Sequence, residues 1–119
     1  MGVLLVRHAH AGDRHRWRGS DLERPLDERG RQQAEALVRI LAPFEPVQVL
    51  SSPAARCAET VQPLADSLGM KVEHADALAE GNSREAIRLV KALAKKSWVV
   101  LCSHGDVVPD VLDALTGDG

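Results

Sequence analysis

The sequence has no tyrosine, one phenylalanine (Phe44) and two tryptophans (Trp17 and Trp98). So few aromatics leave no stacking platform for single-stranded nucleic acid, and a net charge of -2 supplies no global attraction to a phosphate backbone. Nucleic acid is therefore not expected as a partner. Two cysteines, Cys57 and Cys102, are too few for a disulfide framework and fit a reducing compartment. No apolar run approaches the ~20 residues of a membrane span, and no signal peptide precedes the first strand. The expectation is a cytoplasmic protein without a membrane partner. At 119 residues, 45% of them hydrophobic, the chain is expected to form one domain over 1–119.

What is present is a series of short apolar runs that end in polar clusters. Val3 to Val6 has the length and β-branched content of a buried strand and stops at Arg7-His8. Asp13 to Arg24 has neither helical nor strand periodicity and reads as a loop at the strand's end. Its Arg14, His15, Arg16, Trp17 and Arg18 form a local basic cluster suited to an anion. Asp27 is positioned to cap a helix running to about Ala42, with Gly30 on its inner face allowing close approach to the sheet. Val47 to Leu50 is a second strand. Ser51-Ser52-Pro53 then reads as a capped helix start, with Arg56 in the first turn and Pro63 expected to interrupt or kink the helix.

Met70 to His74 is a weaker third strand, followed by a loop carrying Glu80. Asn82 and Glu85 have capping-box spacing for a third helix, with Ala94 on its apolar face and Lys91, Lys95 and Lys96 near its C-terminus. Trp98 to Cys102 is a fourth strand, ending in Ser103-His104-Gly105, and Asp106 can cap a last helix. Strands alternating with helices predict a three-layer α/β/α fold with a mostly parallel four-stranded sheet. The expected strand order is 3-2-1-4, with His8 and His104 meeting and Arg56 arriving from the other side of the first strand.

Ligands in such sheets bind at the C-terminal strand ends. A phosphoryl group placed there would meet Arg7 and Arg56, whose guanidinium forks suit the charge spread over its equatorial oxygens. A neutral His8 is a competent nucleophile, His104 a second phosphate-binding or charge-stabilising group, and Glu80 the best-placed carboxyl to protonate a leaving group. No metal or other cofactor is needed. The pair His8-x-His10 also invites a zinc reading, but His10 falls beyond the strand, where the shared face is lost. A cysteine-dependent phosphatase needs an arginine six residues after its cysteine, and Pro63 and Val108 stand there instead.

Leu5-Val6-Arg7-His8-Ala9, Pro25-Leu26-Asp27-Glu28-Arg29-Gly30, Ser51-Ser52-Pro53 with Arg56, and Ser103-His104-Gly105 together resemble the histidine phosphatase superfamily, also called phosphoglycerate mutase-like. The resemblance implies that fold and a phosphohistidine intermediate on His8. It implies phosphate-pocket roles for Arg7, Arg56 and His104, with Gly105 beside them, and a proton-donor role for Glu80. Arg14 stands where many members carry a phosphate-binding asparagine, and His10 where many carry glutamate or threonine. The mutase cap is absent, so the chain resembles short phosphohistidine phosphatases or the phosphatase domain of Nudix fusions. Many relatives continue into a further strand, so this chain is expected to be a shortened form. The expected substrate is a phosphohistidine protein, a small phosphomonoester or a nucleotide. The alternatives are a phosphate-binding or interaction module without turnover, its sheet edge completed by a partner or a second copy as in a homodimer, and a mutase-type phosphotransferase.

Overall fold

In the computed structural model, residues 2–93 and 97–116 are described. The apolar runs form strands β1 (Val3–Arg7), β2 (Gln48–Ser51), β3 (Val72–His74) and β4 (Val99–Ser103), all paired in parallel. Between and after them lie α1 (Glu28–Leu41), α2 (Ala55–Ser67), α3 (Ser83–Leu93) and α4 (Val107–Thr116). Side chains alternate across the strands, so the sheet separates two apolar clusters. Val6, Val49, Val100 and Cys102 pack with Leu41, Val61 and Leu64 from α1 and α2. Leu50, Val99 and Leu101 pack with Ala86, Val90, Val107 and Val111 from α3 and α4. The three-layer α/β/α expectation matches this arrangement. No helix among the described residues is long and apolar enough to cross a membrane.

The strand order is β1-β4-β2-β3, which corrects the expected 3-2-1-4. β4 lies between β1 and β2, and β1 stands at the edge. The physical reason is visible in burial. All five β4 residues are buried, as a strand paired on both edges and covered on both faces must be, whereas only Val6 of β1 is buried and Arg7 is exposed. The centre of the C-terminal edge is therefore the end of β4. His8 and Ser52 are both pinned to it, their amides donating to the carbonyls of Ser103 and Cys102 at 3.0 Å each.

Several helix ends also differ from expectation. Asp27 caps α1 as expected, its Oδ1 accepting from the Gly30 amide at 2.8 Å. Gly30, however, makes its close approach to the loop after β1, not to the sheet. A Cβ built there would sit 1.9 Å from the His10 carbonyl oxygen. The Gln33 side chain accepts from the His10 amide at 2.9 Å, and the Asp27 amide donates to the His10 carbonyl at 3.1 Å. The site loop thus lies directly on the first turns of α1. Gly30→Ala is expected to destabilise the protein by about 2 kcal/mol or more, because the obstacle is backbone. An unchanged thermal midpoint would show that the loop does not pack there.

α2 starts at Ala55 without a side-chain cap, so Ser51 and Ser52 do not cap it. Pro63 does not interrupt it either. The residues around Pro63 bury Thr60, Val61, Leu64 and Ala65, and this packing outweighs the ~3 kcal/mol cost of an interior proline. Asn82 stands at the start of α3, where its carbonyl accepts from the Ala86 amide at 3.0 Å and its side-chain nitrogen donates to the Asp76 carbonyl at 2.8 Å. Asp106, expected as the α4 cap, stands just before Val107 and also reaches another segment. Its carboxylate accepts from the Gly81 amide at 2.9 Å and so ties down the loop carrying Glu80. Ala94, Lys95 and Lys96, expected in the third helix, lie outside the described residues.

Candidate active site

At the C-terminal edge of the sheet a cleft of about 610 Å³ is lined by Arg7, His8, His10, Arg14, Arg29, Glu80 and Gly105, among others. His8 is half-buried at the end of β1. Its Nδ1 lies 2.8 Å from the Ala9 carbonyl. A carbonyl can only accept, so Nδ1 carries the proton and Nε2 keeps its lone pair when the ring is neutral. Burial, outweighing the opposing hydrogen bond to Ala9 and the charge of Cys57, holds the His8 pKa below its ordinary value of 6.5, and the charges of Arg56 and His104 add to the lowering.

His104 meets His8 as expected, with ring centroids 5.5 Å apart at 69°. It is buried, and both its nitrogens have protein partners. Arg56 donates to Nδ1 at 3.3 Å, and since arginine only donates, the ring proton belongs on Nε2, facing Ser52 Oγ at 2.8 Å. The Cys57 thiol lies 3.6 Å from the same Nε2. A hydrogen bond from Cys102, then His104, draws the Cys57 pKa down, while burial pushes Cys102 up.

Arg56 reaches the centre from β2 by way of α2, on the far side of β4 from His8, so His104 stands between them. It is almost fully buried at 1% exposure and turned toward a residue that the sequence reading passed over, Asp21. Its Nη1 donates to the Asp21 carbonyl at 2.8 Å and its Nη2 to Asp21 Oδ2 at 3.1 Å, while Nε has no partner among the described residues. Arg24, also buried, donates from Nε to Asp21 Oδ1 at 3.1 Å and from Nη1 to the Ala11 carbonyl at 2.8 Å. Arg14 lies 3.8 Å from Asp21 and donates to Glu80 at 3.4 Å. Partial burial would raise the Asp21 pKa, but the Arg24 hydrogen bond and the three guanidinium charges win and hold it below the usual carboxylate value. The only sequence signal for this hub was the Asp21-x-x-Arg24 spacing just before Pro25.

Arg7 is the contrast. Among the described residues its side chain has no hydrogen bond or ion pair, and it lies exposed in the cleft. Its guanidinium covers Gly105 so closely that a Cβ there would come within 2.8 to 3.0 Å of it. Thr60, also missed, joins the two halves of the site. Its hydroxyl accepts from the Ala9 amide at 2.9 Å and donates to the Arg56 carbonyl at 2.6 Å. His10 and His8 do not converge, because His10 Nδ1 is paired with Asp27 and His8 Nδ1 with Ala9. Among the described residues no three His, Cys, Asp or Glu side chains gather as metal ligands.

Comparison with known proteins decides the family. Residues 3–86, more than two thirds of the chain, match the histidine phosphatase superfamily, branch 1. The chain belongs to that superfamily. A curated relative, the 8-oxo-(d)GTP phosphatase of Mycolicibacterium smegmatis, is 36% identical over 116 residues. The match takes in 93% of this histidine phosphatase chain but only 36% of the relative, so the chain spans about a third of that protein's length. The structure of SixA from Agrobacterium tumefaciens, named for a phosphohistidine phosphatase, superposes with a TM-score of 0.80 at 30% identity, over 98% of this chain and 77% of that one. A mycobacterial glucosyl-3-phosphoglycerate phosphatase at 21% identity and TM-score 0.76, over 95% and 78% of the two chains, shares the fold alone.

Proposed function

We propose that this histidine phosphatase is a metal-independent phosphohydrolase that works through a covalent phosphohistidine on His8. The observation that carries the reading is the His8 geometry: Nδ1–H is held by the Ala9 carbonyl, and the unprotonated Nε2 is left for the cleft beside Arg7, whose side chain has no partner among the described residues. In the first step Nε2 attacks phosphorus and the bond from phosphorus to the leaving group breaks, with Glu80 supplying the leaving group's proton. In the second, water attacks phosphorus, the P–N bond breaks, and Glu80 takes the proton from water. Arg7 stabilises the charge on the equatorial oxygens in both steps. Arg14 holds the Glu80 carboxyl at the cleft, and Arg56 with His104 forms the buried floor. The substrate class is a phosphorylated protein or small molecule, with phosphohistidine proteins suggested by the name of the SixA relative and nucleotides by that of the mycobacterial one.

The test is rapid-quench trapping with a phosphorus-labelled phosphomonoester in excess EDTA, wild type against His8→Ala. An acid-labile, base-stable phosphoenzyme in the wild type alone is expected. Phosphate binding with no labelling in either protein would favour a binding module instead.

The His8 environment also sets a pH dependence. The nucleophile is the neutral ring, so lowering its pKa extends activity toward acid, and the rate falls as pH drops through that lowered value. An NMR titration of the His8 ring, assigned by its loss in His8→Asn, is expected to show a midpoint below 6.5. A midpoint above 6.5 would mean that the ring is stabilised as the cation and is not poised to attack.

A further inference from the structure

The remaining inference rests on the phosphatase reading and concerns Trp17, which that chemistry does not use. We propose that Trp17 forms a subsite for a planar aromatic leaving group, an aryl ring or a nucleobase, carried by the phosphorylated substrate.

The chain has three large aromatic side chains. Phe44 and Trp98 pack edge to face, 5.1 Å apart, near the N-terminal ends of the strands, where the Val47 amide donates to the Trp98 carbonyl. Trp17 stands apart from them, 39% exposed, in the loop beside the cleft. Its orientation is set by the protein. The indole Nε1–H donates to the Ser20 carbonyl at 2.8 Å, and the Gly19 backbone lies so close that a Cβ there would come within 3.1 to 3.3 Å of three ring atoms. A ring already held in place loses little freedom when a ligand stacks on it.

The space beside the indole is a cavity of about 290 Å³ with apolar walls from Trp17, Pro25 and Leu26. Ala11, Gly12, Asp13 and Arg24 line this cavity and the catalytic cleft alike, so the two are adjoining. A substrate with its phosphoryl group at His8 can extend past Gly12 to the indole. The cavity is at the small end of ligand sites, which suits one flat ring system. Asp13, Arg16 and Asp27 also line this cavity and make the rest of its wall polar.

The test compares wild type with Trp17→Leu and Trp17→Phe on three substrates, 1-naphthyl phosphate, a nucleoside 5′-monophosphate and glycerol phosphate. Ratios are taken within each substrate so that leaving-group reactivity cancels. Trp17→Leu is expected to lower kcat/KM roughly tenfold for one or both aromatic substrates, mainly through KM, with little change for glycerol phosphate and partial recovery in Trp17→Phe. Loss confined to the nucleotide identifies a nucleobase as the occupant, and loss confined to the naphthyl ester an aryl group. Equal loss on all three substrates, or none, overturns the assignment. Turnover of none of them by the wild type, together with no release of phosphate from a phosphohistidine protein, overturns the phosphatase reading itself, a distinct result. A second measurement leaves position 17 intact. In a Trp98→Phe protein, phenylphosphonate, whose P–C bond resists hydrolysis, is expected to quench indole fluorescence where methylphosphonate does not. Equal responses to the two would also overturn the subsite.

Discussion

His8→Ala is expected to reduce turnover of any phosphomonoester by roughly 10⁴ to 10⁶-fold, the range seen when a covalent nucleophile is removed from a site that otherwise stays assembled. The fold should survive. His8 is half-buried, its side chain bonds among the described residues to the carbonyl of its own neighbour alone, and its backbone amide, which the substitution keeps, makes the bond to Ser103. The thermal midpoint is therefore expected to change little while kcat collapses. Because alanine leaves a hole of imidazole size next to Arg7 and His104, added imidazole should restore a fraction of the rate. Turnover within tenfold of wild type would sink the phosphohistidine mechanism.

Arg7→Ala is the second large effect, a loss of about 10² to 10³-fold in kcat/KM, comparable with removing one transition-state donor. Of the guanidiniums discussed, Arg7 can commit most fully to a phosphoryl group. Arg56 and Arg24 are held by Asp21, and Arg14 is shared between Asp21 and Glu80. Arg7→Lys should recover little, since an ammonium cannot present a planar fork to two oxygens. Gly105→Ala should reproduce part of the loss without touching Arg7, because the new Cβ would displace the guanidinium it lies against. Near-normal kinetics in Arg7→Ala would place the phosphoryl group elsewhere. Arg56→Ala is a less clean test, since it also releases Asp21 and one partner of His104.

Much of this site was legible because its chemistry sits at the ends of apolar runs. Arg7-His8 after Val3–Val6 and Ser103-His104 after Val99–Cys102 are local patterns, and parallel strands deliver both to one edge whatever the strand order. Asp27 as the α1 cap was equally local. Pro63 does not break α2, because a propensity cost of a few kcal/mol is a local quantity, while the packing that overrides it belongs to α2 as a whole. Ser52 and Asp106 have capping residues' identities and spacing, yet both side chains found partners in other segments, His104 and the Gly81 amide.

The sequence by itself determined the α/β class, the two histidines, the Arg7 beside them and the family they announce, because periodicity, caps and strand-end motifs depend on neighbours a few residues away. Tertiary structure alone decided that β4 and not β1 is central, since that depends on which apolar run is excluded from water on both edges as well as both faces. It also decided that Arg56 and Arg24 answer to Asp21, that Thr60 bridges Ala9 to α2, and that Gly30 makes room for the His10 carbonyl. Those pairings depend on the path of the loop between β1 and α1, and a loop's path is set by where its side chains find partners once the sheet is assembled.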